Sequence, residues 1–127
     1  RYDWVIDAGT AFCCFNPAQV LFNIHHLLKP GGMVFQFASM FGYLNRAYYS
    51  FHPILLQEFY TCNQYEILRL AQRTKGAYWQ PMEDIDMYNA DAQVPNDTCV
   101  LVIARKVGNE PAREPTPELY VNLAKSK

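Results

Sequence analysis

The hydrophobic pattern of the first 38 residues predicts a strand, a helix and a second strand. Trp4-Val5-Ile6 is a short apolar run rich in β-formers, and the turn-forming residues 7–10 end it, so we expect a buried strand at residues 2–7. Asn16 suits a helix N-cap, and Pro17 suits the first helical position. The apolar residues that recur at helical spacing after them are Val20, Leu21, Ile24, Leu27 and Leu28.

Lys29-Pro30-Gly31-Gly32 ends this helix, because proline cannot continue the hydrogen-bond ladder and glycine adopts backbone angles that other residues resist. Helix termination therefore explains Lys29, Gly31 and Gly32 without a functional role. Met33 to Ala38 is typical of another buried strand. A strand, a helix and a strand of this length predict a right-handed crossover unit with its two strands parallel.

The following residues predict a loop, a second helix and two late strands. Residues 39–50 have no clean period and leave the C-terminal edge of the second strand, which is where open α/β sheets bind ligands. Ser50 and Pro53 can open a helix, for which Asn63 is a left-handed stop. The late strands are Tyr65 to Arg73 and Thr98 to Arg105, separated by the polar, irregular residues 81–97; we expect them to pair antiparallel as a hairpin at the sheet edge.

The chain divides into a globular part, residues 1–107, and a tail, residues 108–127. Gly108 to Pro117 is rich in Pro and Glu, which predicts a linker or a mobile tail. Thr116-Pro117-Glu118 carries helix-start signals, so a short helix can follow.

Composition limits the classes of partner that we expect. Half of the 127 residues are hydrophobic, which suffices for a packed core, and eleven basic against twelve acidic residues give a net charge of −1. This balance offers no electrostatic footprint for nucleic acid or an anionic membrane, so we expect a small-molecule or protein partner. Arg1-Tyr2-Asp3 does not begin a signal peptide, and no apolar run approaches the roughly 20 residues of a membrane span. We therefore expect a soluble, cytoplasmic protein.

The cysteines predict neither a disulfide framework nor a metal site. Cys13, Cys14, Cys62 and Cys99 lack the paired spacing that lets thiolates clamp a metal from one turn. The neighbouring pairs Cys13-Cys14 and His25-His26 suggest zinc at first sight. Adjacent side chains on a helix point about 100° apart, however, and cannot easily share one ion.

Three segments together resemble one enzyme family. Tyr2 to Thr10 (YDWVIDAGT), Asn16 to Leu21 (NPAQVL) and Leu27 to Gly32 (LLKPGG) are similar to the class I S-adenosylmethionine-dependent methyltransferases, and LLKPGG is the most specific of them. Residues 48–53 and Cys99 to Ala104 also resemble the closing half of such domains. The resemblance covers about the first 105 residues.

The resemblance implies a fold and a cofactor. In that family the first segment is the fourth sheet strand, whose end lies beside the methionine part of the cofactor, and LLKPGG leads into the fifth. The implied fold class is α/β: a partial Rossmann-like sheet with a crossover helix and a late antiparallel hairpin, the remnant of a three-layer α/β/α domain. Asp7, Ala8, Gly9 and Thr10 would contact S-adenosylmethionine. The alternative is that Asp7 caps the turn and Gly9 meets a backbone need.

Two departures from the family bear on function. The glycine-rich turn and the ribose-binding acidic residue of its first half have no counterpart here, which implies a role as part of a larger enzyme with an N-terminal half supplied elsewhere. Phe12 and Cys13 stand where many small-molecule members carry a Glu-His pair, so a general base cannot be transferred to these positions.

Other candidate site residues follow from their chemistry. Tyr43, Tyr48 and Tyr49, with Asn45, could line an acceptor pocket, because aromatic rings give contact area and hydroxyls give direction; the alternative is that they cover the sheet. His52 near the second helix start could act as a base or orient a substrate, or it could be an ordinary helix-end histidine.

Two functions remain in competition. The first is methyl transfer from S-adenosylmethionine to a small-molecule or sugar-like acceptor. The second is a non-catalytic Rossmann-like module that self-associates or docks on a partner, because a partial sheet exposes an edge and an apolar surface that soluble proteins normally cover.

Overall fold

The predicted strands and helices are all present in a computed structural model, which describes residues 1–82 and 94–126. The elements are β1 (Tyr2–Ala8), a 3₁₀ turn (Ala11–Cys13), α1 (Pro17–Leu27), β2 (Leu28–Phe41), α2 (Pro53–Cys62), β3 (Tyr65–Thr74), β4 (Gln80–Pro81), β5 (Thr98–Lys106) and α3 (Glu118–Lys125). β4 was not predicted. Most of the segment expected to be irregular, 81–97, lies outside the described residues.

The sheet is open and mixed, with the strand order β1-β2-β5-β3-β4. β1 and β2 run parallel and α1 connects them, which confirms the predicted strand–helix–strand order and the parallel pairing. β3 and β5 pair antiparallel as expected, but the later strand lies inside the sheet, between β2 and β3. The hairpin therefore joins the sheet through β5, and the edge is formed by β3 with the two-residue β4.

Local chemistry explains the limits of α1. The Asn16 side chain accepts a hydrogen bond from the Gln19 amide at 3.1 Å, and Pro17 occupies the first turn. The helix ends at Leu27, and β2 begins at the next residue, earlier than the predicted Met33. Gly31 has a φ of +82°, which favours glycine, and it lies within β2 where the pairing with β1 changes register between Leu28 and Met33.

The limits of α2 differ from the prediction in two details. The N-cap is His52 instead of Ser50, with Pro53 in the first turn. Asn63 is not left-handed, since its φ is −98°, and the positive φ of +63° belongs to Gln64. The Asn63 side chain binds the tail: its amide donates to the Arg113 carbonyl at 2.9 Å and its oxygen accepts from the Arg113 amide at 2.6 Å.

Both helices of the main core pack on one face of the sheet. Phe22 of α1 and Phe59 of α2 are in ring contact at 6.0 Å, so the two helices are neighbours in a single layer. The buried side chains between this layer and the sheet are Leu21, Ile24, Val34, Ala38, Leu56, Phe59, Tyr60, Val100, Val102 and Ala104. This face holds the hydrophobic core.

The opposite face of the sheet, here called the outer face, carries a second set of apolar side chains. The strand at residues 2–7 was predicted to be buried, but β1 is largely exposed: Trp4 is 57% and Ile6 is 71% exposed, and Trp4 stacks on Phe35 at 5.3 Å. Trp79 contacts Phe37 edge-on at 6.1 Å. A three-layer domain would have a helix layer on this face as well. Among the described residues, the helices with substantial contacts to the sheet are α1 and α2, which lie on the other face.

The segment expected to be a linker is attached to the helices at two points. His25 bonds through Nε2 to the Glu110 carbonyl at 2.8 Å, and Asn63 holds Arg113 as described above. The short helix predicted after residue 116 is present as α3, with Pro117 at its N-cap.

The His25–Glu110 contact depends on the protonation of His25. A carbonyl only accepts, so Nε2 carries the proton and Nδ1 is the unprotonated nitrogen of a neutral ring. Burial lowers the pKa of His25, and the hydrogen bond to the Glu110 carbonyl partly opposes this shift. The neighbouring groups Lys106, Arg1 and His26 lower the pKa further.

We therefore expect acid to destabilise the fold through His25. Because the folded-state pKa lies below the ordinary value of 6.5, the unfolded chain binds the proton first, and the free energy of unfolding falls as the pH drops below 6.5. The variant His25→Gln keeps a donor for Glu110 but does not titrate, so it should lose less stability in urea denaturation across this pH range. His26→Gln removes the weakest of the neighbours that lower the pKa of His25, so it should keep most of the wild-type pH dependence. Identical pH profiles for wild type and His25→Gln would contradict this account.

Candidate functional site

Two loops meet at the edge of the sheet where the parallel strands β1 and β2 end. The carbonyl of Phe12, in the loop after β1, accepts hydrogen bonds from the amides of Tyr48 and Tyr49 at 3.2 Å each. The Cys13 thiol donates to the Arg46 carbonyl at 3.2 Å. Residues 9–16 and 42–52 therefore form one structural unit at the edge where open α/β sheets bind ligands.

Asp7 is the residue on which this unit is built. Its carboxylate is buried and accepts from the amides of Gly9 at 3.2 Å, Thr10 at 2.7 Å and Ala11 at 3.4 Å. Its fourth donor is the Gln36 side-chain amide at 2.9 Å. These four bonds match the turn-capping alternative for Asp7, because they leave little acceptor capacity for a ligand.

The three residues after Asp7 have the exposure that a ligand contact needs. Ala8 and Thr10 are exposed and Gly9 is half-buried. The φ of +111° at Gly9 is the backbone requirement expected for this glycine. The Thr10 hydroxyl forms no hydrogen bond within residues 1–82 and 94–126, so it is available to a ligand.

Tyr43 lies at the junction of the second loop with the sheet. It has a φ of +59°, and its hydroxyl lies 2.8 Å from the Cys99 thiol on β5. The hydrogen bond to Cys99, with burial adding to it, raises the pKa of Tyr43 to about 12. Burial also raises the pKa of the Cys99 thiol, so both groups stay protonated near neutral pH and neither is prepared as a nucleophile.

The remaining predicted acceptor residues share this loop and are more exposed. Tyr48 is 73% exposed, and Asn45 lies at the exposed turn. The Tyr49 hydroxyl donates to the Phe15 carbonyl at 3.0 Å, which ties the two loops together. The structure thus places all four predicted residues on one loop, where Tyr43 and Tyr49 hold it and Tyr48 and Asn45 face solvent.

His52 begins α2 and serves as its cap. Its Nδ1 accepts from the Ile54 amide at 3.2 Å, so Nε2 carries the proton in the neutral ring. The ring also lines a cavity of about 360 Å³ between α2 and the tail, with Leu55, Pro115 and Pro117 among its neighbours. His52 therefore faces the tail and acts as an ordinary helix-end histidine, the alternative to a base.

The residues considered for zinc are not brought together. Cys13 lies in the first loop at one edge of the sheet, while His25 lies in the last turn of α1, which leads back to the opposite edge. Within the described part of the chain, no group of three or more His, Cys, Asp or Glu side chains could hold a metal ion.

Sequence reasoning missed the polar partners of this edge. Gln36 lies in the apolar strand β2 and is fully buried between Asp7 and the Tyr60 hydroxyl, which it meets at 2.7 Å. The available signal was a single amide inside a run of apolar residues. It marks a buried polar contact without indicating the partner.

Comparisons with known proteins add no family. No family model, no curated protein and no solved structure matches this chain. Among the described residues, no helix is long and apolar enough to cross a membrane.

Gly42 joins β2 to the second loop, and its substitution tests how tightly the loop is held. It has a φ of +88°, and an added Cβ would lie 2.6 Å from the backbone nitrogen of Asp97. Gly76 has a φ of +79° with nothing within 4 Å, so it is a matched control. We expect Gly76→Ala to cost about 1–2 kcal/mol of unfolding free energy from its backbone alone, and Gly42→Ala to cost at least about 1 kcal/mol more from overpacking. Equal costs in urea denaturation would show that the Gly42–Asp97 contact does not constrain the loop.

Proposed function

We propose that this chain contributes one wall of an S-adenosylmethionine site in a larger methyltransferase-like enzyme, acting on a small-molecule or sugar-like acceptor. The observation that carries the proposal is the parallel β1–β2 pair, whose two following loops are bonded together at one sheet edge. In open α/β sheets this is the edge that binds ligands. The family resemblance of the segments around β1, α1 and β2 supplies the cofactor class.

The residues after β1 fit a cofactor contact in part. The Asp7 carboxylate fixes the turn, and the exposed Ala8 and Thr10 are presented at its surface. The Thr10 hydroxyl can bond to a polar group of the cofactor, and Gly9 allows a close approach. Asp7 positions these residues and does not itself take the ligand.

The loop after β2 would hold the acceptor. Tyr48 and Asn45 offer an exposed ring and an exposed amide, while Tyr43 and Tyr49 anchor the loop through their hydroxyls. Bound S-adenosylmethionine supplies an activated methyl group, and transfer depends chiefly on aligning donor and acceptor. The role of these residues is therefore orientation, and none of them needs to act as a base.

The outer face and the free edge of β1 support a role within a larger domain. Among the described residues β1 pairs with β2 alone, and Trp4 and Ile6 are exposed beside that free edge. Further strands on β1 and a helix layer on the outer face would complete a three-layer Rossmann-like arrangement. Both features are costly to leave in contact with water.

The proposal is tested by titrating the isotope-labelled chain with S-adenosylhomocysteine and following amide chemical shifts. Because this chain provides one wall only, we expect weak, saturable binding in the millimolar range, with shifts confined to residues 8–14 and 39–49. Thr10→Val keeps the side-chain shape but loses the hydroxyl, and should weaken binding about fivefold or more. Thr116→Val, the same change in the tail, should leave it unchanged. The absence of saturable shifts in both loops would refute the proposal.

The exposed apolar residues also favour a second candidate function, a non-catalytic module that assembles with itself or a partner. The same spectra distinguish it. Concentration-dependent broadening at Trp4 and Ile6, with no response to S-adenosylhomocysteine, would favour the assembly module over the methyltransferase.

A further inference from the structure

A cavity of about 310 Å³ lies at the edge of the sheet opposite to the two loops. It is formed where β1 begins, where α1 ends and where β5 ends, and the start of the tail closes one side of it. Four basic side chains line it: Arg1, His25, His26 and Lys106. Phe22, Pro111 and Ala112 provide an apolar wall.

Lys106 is the unusual member of this group because it is buried and, among residues 1–82 and 94–126, has no acidic partner. Its ammonium group donates to the carbonyls of His25 at 2.6 Å and Leu28 at 3.1 Å, at the C-terminal end of α1. The ion pairs Lys29–Asp3 and Arg105–Glu66 do not include it. Buried lysines are rare unless they are paired, so carbonyl dipoles alone compensate this charge incompletely.

The positive groups around the cavity also act on one another. Burial lowers the pKa of Lys106, and the nearby Arg1 lowers it further. His25 is affected in the same direction by Lys106 and Arg1, which favours its neutral form, so the charged contacts that the cavity offers are Arg1 and Lys106. A bound anion would relieve the repulsion between these positive groups.

From this geometry we propose that the cavity binds the phosphate group of a small organic molecule, with Arg1 and Lys106 as its charged contacts and Phe22 beside its apolar part. The volume is at the lower end of the range for small-molecule sites. A doubly charged phosphate suits two neighbouring cations better than a single carboxylate does. The site is independent of the proposed methyl-donor site, since it lies at the other edge of the sheet.

Glu110 on the tail provides an internal comparison. It also lines the cavity, and it is the acidic residue among the lining residues. Its carboxylate forms no ion pair within the described parts of the chain. Its negative charge opposes the entry of an anion, so removal of this charge should strengthen phosphate binding.

Inorganic phosphate is the probe for the test, with thermal unfolding of the full 127-residue chain as the measurement at constant ionic strength. Phosphate should raise the unfolding midpoint in a saturable manner, and chloride should not. Arg1→Gln should weaken the apparent phosphate affinity about tenfold, as the loss of a charged hydrogen bond would, and Glu110→Gln should strengthen it. Arg46→Gln, at the opposite edge, is the control and should match the wild type.

The role of the buried Lys106 is tested with Lys106→Met. This variant keeps a side chain of similar length and should abolish the rise of the unfolding midpoint in phosphate. If this variant fails to fold, the opposite effects of Arg1→Gln and Glu110→Gln still decide the question. Equal midpoint shifts in phosphate and chloride, or equal phosphate responses in all variants, would overturn the proposal. A response to acetate as strong as that to phosphate would overturn the assignment to phosphate.

Discussion

A buried chain of hydrogen bonds from Tyr60 through Gln36 to Asp7 is the interaction on which the candidate site depends. Tyr60 is fully buried, and burial raises its pKa well above the ordinary value, so its hydroxyl remains a donor to the Gln36 oxygen. The Gln36 amide group then donates to Asp7, which accepts only. The direction of each bond is thus fixed by chemistry, and the chain connects α2 through β2 to the turn after β1.

This connection links the loops at the end of β1 and β2 to the helix layer, in addition to the core contacts that Ala11, Phe12 and Phe51 of these loops make. Tyr60 packs in the hydrophobic core, and the hydrogen-bonded chain connects it to the Asp7 turn and so to Ala8 and Thr10. At the opposite end of the strands Lys106 has a comparable position, holding the end of α1, but its charge has no acidic partner in the part of the chain that the structure describes. At one end of the strands the Asp7 charge is therefore compensated by hydrogen-bond donors. At the other end, the proposed anion would compensate the charge of Lys106.

Local chemistry made much of the fold predictable. Asn16 and Pro17 specify the start of α1 within a few residues, and the Val, Leu and Ile density of β5 identifies a strand without knowledge of its neighbours. Long-range contacts were not predictable in the same way. The pattern indicated that β3 and β5 pair, but it did not place β5 inside the sheet. Asn63 ends α2 as predicted, but it is not left-handed, and its contact with Arg113, 50 residues later, was not predicted.

The site residues show the same difference between local contacts, which were predictable, and long-range contacts, which were not. The role of Asp7 in the turn was foreseen as an alternative because it involves the next four residues, whereas Gln36 and Tyr60 were not foreseen because each is defined by a partner far away in the chain. His52 shows the limit of reasoning from residue type. An imidazole near a helix start suits a base, and here its lone pair is used to cap the helix.

The measurement that tests this account most directly is hydrogen exchange of the Gly9, Thr10 and Ala11 amides in Tyr60→Phe. The control is Tyr49→Phe, which removes the hydroxyl that binds Phe15 from the same region. The account predicts that Tyr60→Phe accelerates exchange at these three amides about tenfold or more relative to the β2–β5 ladder, while Tyr49→Phe leaves them near the wild-type rate. Unchanged exchange at the three amides in a folded Tyr60→Phe variant would contradict it.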